Sequence, residues 1–302
     1  VTSTRAGQRR LKVLRRMVEI LVILLTLAYL GLVVLGLISD RFIFPAPPAT
    51  YRDDELAAAL ARETPPGRLV RFGSGPYELA GFHLPNPAAR YMLLFSHGNG
   101  EDLRGALALA TNYREAGYAV FAYDYRGYGT STGLPSEAGV YADVLAAWDH
   151  LTGVLGAPPE SVVSMGRSLG TTAAIELAVR RPVAGLVLEA PLLTAFRTVI
   201  PFRILPWDKF PNAAKMKHVR PPVLVIHGRE DRIIPFWHGQ RIFALAPEPK
   251  RFVALGAHHM DALVVARDRY LEALRNFAAL LDRVRSERDR CPDGCGEPPS
   301  GQ

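Results

Sequence analysis

Cysteine is nearly absent. The 302 residues hold two, Cys291 and Cys295, both in the C-terminal stretch Cys-Pro-Asp-Gly-Cys. A metal site needs three or four ligands, and nothing nearby supplies the others, so no metal is expected there. The pair reads as two tail thiols, or as a local disulfide where the compartment oxidises. Nucleotide-binding signatures are missing too. No P-loop lysine occurs, and no Gly-x-Gly-x-x-Gly opens a helix, so Arg126-Gly127-Tyr128-Gly129 reads as packing rather than a phosphate cradle. There is no internal repeat. Apolar residues make up 49% and charged residues 22%, which argues against wholesale disorder. The length suits one large α/β domain with appendages, or two small domains.

The net charge of +7 is unevenly spread. Arg5, Arg9, Arg10, Lys12, Arg15 and Arg16 fall within the first 16 residues, and the remainder is close to neutral. An uncharged run, ILVILLTLAYLGLVVLGLI, follows over residues 20–38. Its 19 residues span roughly 28 Å as a helix, close to a bilayer's hydrocarbon core. The rival reading is a cleaved signal peptide; against it, the run is apolar on every side, longer than a signal-peptide core, and followed by no clear Ala-x-Ala site. The arm therefore reads as a membrane flank, and no nucleic-acid partner is expected. Only Arg41 and Arg52 follow within the next 20 residues, among Asp40, Asp53, Asp54 and Glu55. The positive-inside rule predicts a single-pass protein with a cytoplasmic N-terminus and its domain on the far, periplasmic or extracytoplasmic side.

The expected organisation is a basic segment over 1–17, a transmembrane helix over 18–39, a proline-rich linker over 40–67, a domain over 68–284 and a flexible tail over 285–302. Within the domain, paired strands at 69–72 and 77–84 precede short apolar strands that alternate with helical stretches. That alternation predicts a mostly parallel sheet covered on both faces. The segment 191–221, with Phe196, Ile200, Phe202, Ile204, Leu205, Trp207 and Phe210, interrupts it as a short apolar cap.

Gly166-Arg167-Ser168-Leu169-Gly170 fits Gly-x-Ser-x-Gly. It lies between the apolar strand SVVSM and the helix LGTTAAIELAVR, the setting in which a serine is exposed on a strained turn. A serine hydroxyl needs a base within hydrogen-bond reach. The loop after the strand PVLVI offers Asp231, with Glu230 beside it, as the acid; Glu189 is a remoter candidate. The loop after RFVAL offers adjacent His258 and His259, which periodicity does not separate. His227 reads as a structural histidine at a strand end, and His218 and His238 as solvated.

Several motifs together resemble a known family: Ser96-His97-Gly98-Asn99-Gly100, the stretch from Asp124 to Ser131, the serine turn, the sequence from His227 to Pro235, and the histidine loop. Over about residues 68–283 the chain resembles the α/β-hydrolase superfamily, and within it the short-cap serine hydrolases related to the mammalian ABHD proteins. The resemblance implies an α/β-hydrolase fold with a short cap. It implies Ser168 as nucleophile, Asp231 as acid and His259 as base, although His258 stands where a glycine is common. It implies backbone N–H groups of Asn99 and Leu169 as the oxyanion hole. Gly100 and Glu101 depart from the usual continuation of that loop. His97, Phe196, Phe202 and Trp207 are the expected substrate-pocket residues. No cofactor is needed. The expected substrates are small acyl esters, thioesters or lipids; the rival expectation is a non-catalytic anchored binding or scaffolding protein on the same fold.

Overall fold

A computed structural model describes residues 2–199, 202, 205 and 207–290, with side chains from Gly7 onward. One helix, α1 (Thr2–Leu37), takes in both the basic arm and the apolar run. Its large apolar side chains, from Leu11 to Leu37, are mostly exposed. A helix apolar all round and uncovered by protein is a candidate for burial in lipid.

The segment expected as a linker is instead packed onto the domain. It contains α2 (Asp40–Ile43) and α3 (Asp53–Ala61). Phe44 meets Phe210 edge to face at 5.9 Å, and Tyr51, Leu56 and Leu60 are buried in the core. Asp102 accepts from the Thr50 N–H at 2.7 Å. Prolines between 45 and 48 prevent a helix there, yet Leu56 and Leu60, four residues apart, place one face of α3 against the sheet.

The sheet has eight strands in the order β1-β2-β4-β3-β5-β6-β7-β8. β1 (Arg68–Ser74) and β2 (Tyr77–Leu84) form a hairpin whose turn holds Gly75 at φ 59°. β2 pairs antiparallel with β4 (Ala119–Tyr123). From there the sheet is parallel: β3 (Met92–Ser96), β5 (Val162–Arg167), β6 (Gly185–Glu189), β7 (Val223–Gly228) and β8 (Lys250–Leu255). In β5, Val163 and Met165 join the core that contains α4 (Leu103–Glu115) and α10 (Arg267–Arg290). Val162 joins the opposite core, with α5 (Glu137–Gly153) and α6 (Gly170–Arg180). This two-residue alternation is what a sheet buried on both faces requires. The described residues also include the α-helices α7 (Asn212–Lys215), α8 (Trp237–Leu245) and α9 (Ala262–Val265).

Helix α10 runs to Arg290, so residues 285–290 are helical rather than part of a loose tail. Cys291 and Cys295 lie outside the described residues, as do Ile200 and Ile204 of the cap.

His238 corrects the expectation of a solvated side chain. It is fully buried on α8, and its Nδ1 accepts from the Leu193 N–H at 3.1 Å. Burial lowers its pKa from 6.5 to about 4. Between those values the unfolded chain binds a proton that the folded chain refuses, so this site's contribution to stability is complete above about pH 6.5 and is lost as pH falls toward 4. At pH 5 the loss is about 2 kcal/mol relative to pH 7. His238→Gln, whose carbonyl can still accept from Leu193, is expected to show a pH 7-to-5 drop in urea-unfolding free energy smaller by about that amount. Equal drops in both proteins would contradict it.

Candidate active site

Ser168, Asp231, His259 and Asn99 each follow the C-terminal end of a parallel strand: β5, β7, β8 and β3 respectively. That edge is where ligands bind in open α/β sheets, because the loops converge there.

Ser168 has φ 52°, a left-handed conformation uncommon outside glycine. Close packing on either side holds it there. A Cβ on Gly166 would lie 2.2 Å from the Gly170 carbonyl oxygen, and a Cβ on Gly170 would lie 2.0 Å from the Ser96 carbonyl oxygen. Neither position admits a side chain, so the turn from β5 into α6 is tight enough to lift the hydroxyl clear of the sheet. The N-terminal turn of α6 begins beside it, at Gly170, so the positive end of that helix's dipole lies next to the serine.

The Ser168 hydroxyl lies 2.8 Å from His259 Nε2, and His259 Nδ1 lies 2.7 Å from Asp231 Oδ2. All three residues are buried. The Asp231 Oδ1 atom accepts from the Ile233 and Ile234 N–H groups at 2.9 and 2.8 Å. His227 Nε2 stands 3.3 Å from Asp231 Oδ2 and donates to the Ile234 carbonyl at 2.9 Å. Burial alone would raise the Asp231 pKa. Hydrogen bonds from His227 and His259, the charge of His259 and the Ile234 N–H outweigh it and hold the carboxyl well below the usual carboxylate range.

The other candidates are directed elsewhere. His258 is exposed and donates from Nδ1 to the Glu230 carbonyl at 3.0 Å. Glu230 faces His258 at 3.6 Å rather than His259. Glu189 is buried between Arg167, at 3.5 Å, and the Tyr270 hydroxyl, at 2.7 Å. Burial raises its pKa, against the opposing pull of Arg167.

Asn99 and Leu169 line the same cavity as Ser168. The Asn99 side chain is clamped: Nδ2 donates to the Ile43 carbonyl and Oδ1 accepts from the Tyr128 hydroxyl, both at 2.5 Å. Glu101, a departure from the resembled pattern, braces this loop. It accepts from the Gly98 N–H at 2.7 Å through Oε2 and from Arg167 Nη1 at 2.8 Å through Oε1. One carboxylate therefore ties the Asn99 loop to the residue preceding Ser168. Position alone did not reveal this brace; an acid three residues after Gly98 and an arginine beside the serine were the available signals.

His97 does not line the pocket. It is fully buried, with Nε2 3.2 Å from Asp124 Oδ1 and its ring against Tyr125 and Tyr128. Tyr51, carried by the segment after α1, donates to the other Asp124 oxygen at 2.7 Å. Burial disfavours ionisation of both His97 and Asp124. For His97 the Asp124 partner prevails and its pKa is raised; for Asp124 burial prevails and its pKa is also raised. Phe196, Phe202 and Trp207 do line the cavity, whose volume is about 600 Å³. That is an ordinary size for a small-molecule site. Among the described residues, no cluster of histidine, cysteine, aspartate or glutamate is arranged to hold a metal ion.

Residues 87–217 match the family described as serine aminopeptidase, S33. Across 200 residues the chain is 40% identical to alpha/beta hydrolase domain-containing protein 17B of Xenopus laevis, covering 64% of this chain and 68% of that protein. The chain belongs to the α/β-hydrolase superfamily. The matched region spans about 60% of the length of several of these relatives. With alpha/beta hydrolase domain-containing protein aho-3 of Caenorhabditis elegans, also 40% identical, it covers 64% of this chain and 59% of the relative. Among solved structures, the Pyrococcus furiosus esterase Pf2001 superposes with a TM-score of 0.63 at 16% identity, covering 76% of this chain and 96% of that one. The ferulic acid complex of Est1E from Butyrivibrio proteoclasticus gives 0.60 at 17% identity, covering 71% and 99%. These two likenesses establish the α/β-hydrolase fold.

Proposed function

We propose that this α/β-hydrolase is a membrane-anchored serine hydrolase that cleaves carboxylic ester or thioester bonds. The observation that carries the reading is the continuous line from the Ser168 hydroxyl, which lines an apolar cavity, through His259 to Asp231. Ser168 Oγ attacks the acyl carbon as its proton passes to His259 Nε2. Asp231 holds Nδ1–H in place and stabilises the imidazolium. The developing oxyanion is met by the N–H groups of Leu169, at the start of α6, and of Asn99, in the loop after β3. His259 then gives its proton to the departing alkoxide or thiolate. Water repeats the sequence on the acyl-enzyme, releasing the carboxylic acid and restoring Ser168.

Apolar lining favours acyl groups over peptides. Asp208, a carboxylate on the cavity wall, accepts from the Thr194 hydroxyl at 2.5 Å, the Lys209 N–H at 2.8 Å and the Phe196 N–H at 3.2 Å, so it serves to hold the cap backbone. The esterase names of the solved neighbours agree with this direction. A purely scaffolding role has no use for an aligned serine, histidine and carboxylate. The test is a panel of p-nitrophenyl esters, acyl thioesters, lysolipids and aminoacyl anilides on the wild type beside Ser168→Ala. Ester or thioester turnover that Ser168→Ala abolishes is the expected result. Anilide turnover alone would move the assignment to peptidase, and no turnover together with no fluorophosphonate labelling would move it to scaffold.

The basic arm and the uncovered apolar length of α1 support a single membrane crossing with the arm in the cytoplasm and the hydrolase domain outside it. Protease added to cells stripped of outer barriers is then expected to digest the domain. A domain that stays protected until the membrane is lysed would reverse the orientation.

A further inference from the structure

The cavity above Ser168 is not built by the hydrolase domain alone. Leu32, Leu35 and Gly36, from the end of α1, form part of its wall, and Ser39, Phe42 and Ile43 continue that wall. The contact between α1 and the cap is close. A Cβ on Gly36 would lie 2.6 Å from Leu205 Cδ1 and 3.4 Å from Trp207 Cζ2, so these cap side chains rest on bare helix backbone. The cavity's lining also includes Phe42, Val199, Phe202 and Ile233, which are 67%, 83%, 66% and 63% exposed. Four large apolar side chains left open around one mouth form a patch of the kind that marks contact with a membrane or a partner.

Three observations select the bilayer. The patch is continuous with the helix whose exposed apolar surface calls for lipid. The wall residues Leu32, Leu35 and Gly36 belong to the uncharged run that ends at Ile38. The six steps from Leu32 to Ile38 amount to about 9 Å of helix, so a crossing by this run puts the wall in the outermost part of the hydrocarbon layer, next to the depth of lipid ester groups. Finally, Ser168 lies in the same cavity, so a chain that enters along α1 brings its carbonyl toward the nucleophile.

We propose that α1 is a substrate-binding wall as well as an anchor. The substrate class is a long-chain acyl ester or thioester already resident in the bilayer. Its chain moves sideways from lipid into the cavity between α1 and the cap, without crossing water. Leu35 and Gly36 then set the acceptable chain length. This inference rests on the proposed serine hydrolase chemistry.

The test uses the full chain in lipid nanodiscs with a long-chain alkyl fluorophosphonate that carries a diazirine at the far end of its chain. Ser168 Oγ bonds to phosphorus as fluoride leaves, and light then fixes the chain end to its neighbours. Crosslinks within residues 32–43 are expected, with all labelling lost in Ser168→Ala. In parallel, Leu35→Trp and Gly36→Leu are expected to lower the ratio of kcat/KM for long-chain over butyryl esters by about tenfold or more. Crosslinks confined to residues beyond 43, with the ratio unchanged in both variants, would overturn the inference while leaving the serine chemistry intact. Labelling that persists in Ser168→Ala would overturn the serine chemistry itself.

Discussion

Ser168→Ala is expected to lower kcat for its best ester or thioester by about 10⁴- to 10⁶-fold, with little change in KM. The magnitude follows from what the hydroxyl does. In the proposed mechanism it forms the covalent bond to the acyl group, and His259 and Asp231 act only through it. Once it is gone, the 2.8 Å bond to His259 is lost and the 2.7 Å bond between His259 and Asp231 has no reaction to serve. The residual rate comes from water attacking a carbonyl polarised by the N–H groups of Asn99 and Leu169. KM changes little because the apolar wall, not the hydroxyl, holds the substrate. A retained cooperative thermal transition in the variant separates lost chemistry from lost folding. A loss smaller than about tenfold would show that another group carries the reaction.

The second large effect is expected from Asp231→Asn, a kcat/KM loss of roughly 10⁴-fold. The variant is nearly isosteric, so its cost is electronic. The Ile233 and Ile234 N–H groups both donate to one side-chain oxygen, which the asparagine carbonyl can replace. Its amide NH₂ then faces His259 Nδ1. That nitrogen must become the acceptor, so the ring's proton moves to Nε2 and points at Ser168, where a base is needed. His227, 3.3 Å from the same carboxylate oxygen, meets the NH₂ with a second donor and adds to the mismatch. Glu230→Gln is the contrast. Glu230 faces exposed His258 at 3.6 Å, and the change is expected to alter kcat/KM by less than about threefold. Comparable losses in the two variants, read by steady-state kinetics on one ester, would contradict the assignment of the acid.

Much of this was legible in the sequence because it is local. A short apolar strand, a Gly-x-Ser-x-Gly turn and an amphipathic helix give Ser168 its setting within a few residues. The acid and the base were visible as polar loops after apolar strands. Choosing between His258 and His259 required more. Adjacent residues point apart, and only the packing of β7 beside β8 decides which one turns inward toward Asp231. His238 was misjudged by residue type, although its spacing of four from buried Ile242 placed it on the inner face of α8. His97 was expected in the pocket because it neighbours Asn99; its partner Asp124 follows a different strand and draws the ring into the core. The proline-rich segment after α1 read as a linker because prolines break helices. Its actual contacts, Thr50 with Asp102 and Tyr51 with Asp124, connect residues more than 50 positions apart, which no periodicity reports. The wall that α1 lends to the cavity is hidden for the same reason.

These long-range ties bear on function. The segment leaving α1 reaches the Asn99 side chain through the Ile43 carbonyl, and reaches the His97–Asp124 pair through Tyr51. The loop assigned to the oxyanion is therefore fixed from two sides, by the segment after α1 and by Glu101 with Arg167.

The most direct measurement is the intact mass of the full-length protein after reaction with a fluorophosphonate, followed by peptide mapping. The account predicts one adduct per chain, located on Ser168, forming in step with the loss of ester turnover and slowed about as strongly by Asp231→Asn as turnover is. An adduct on a different residue, or full turnover by protein whose Ser168 is wholly modified, would contradict it.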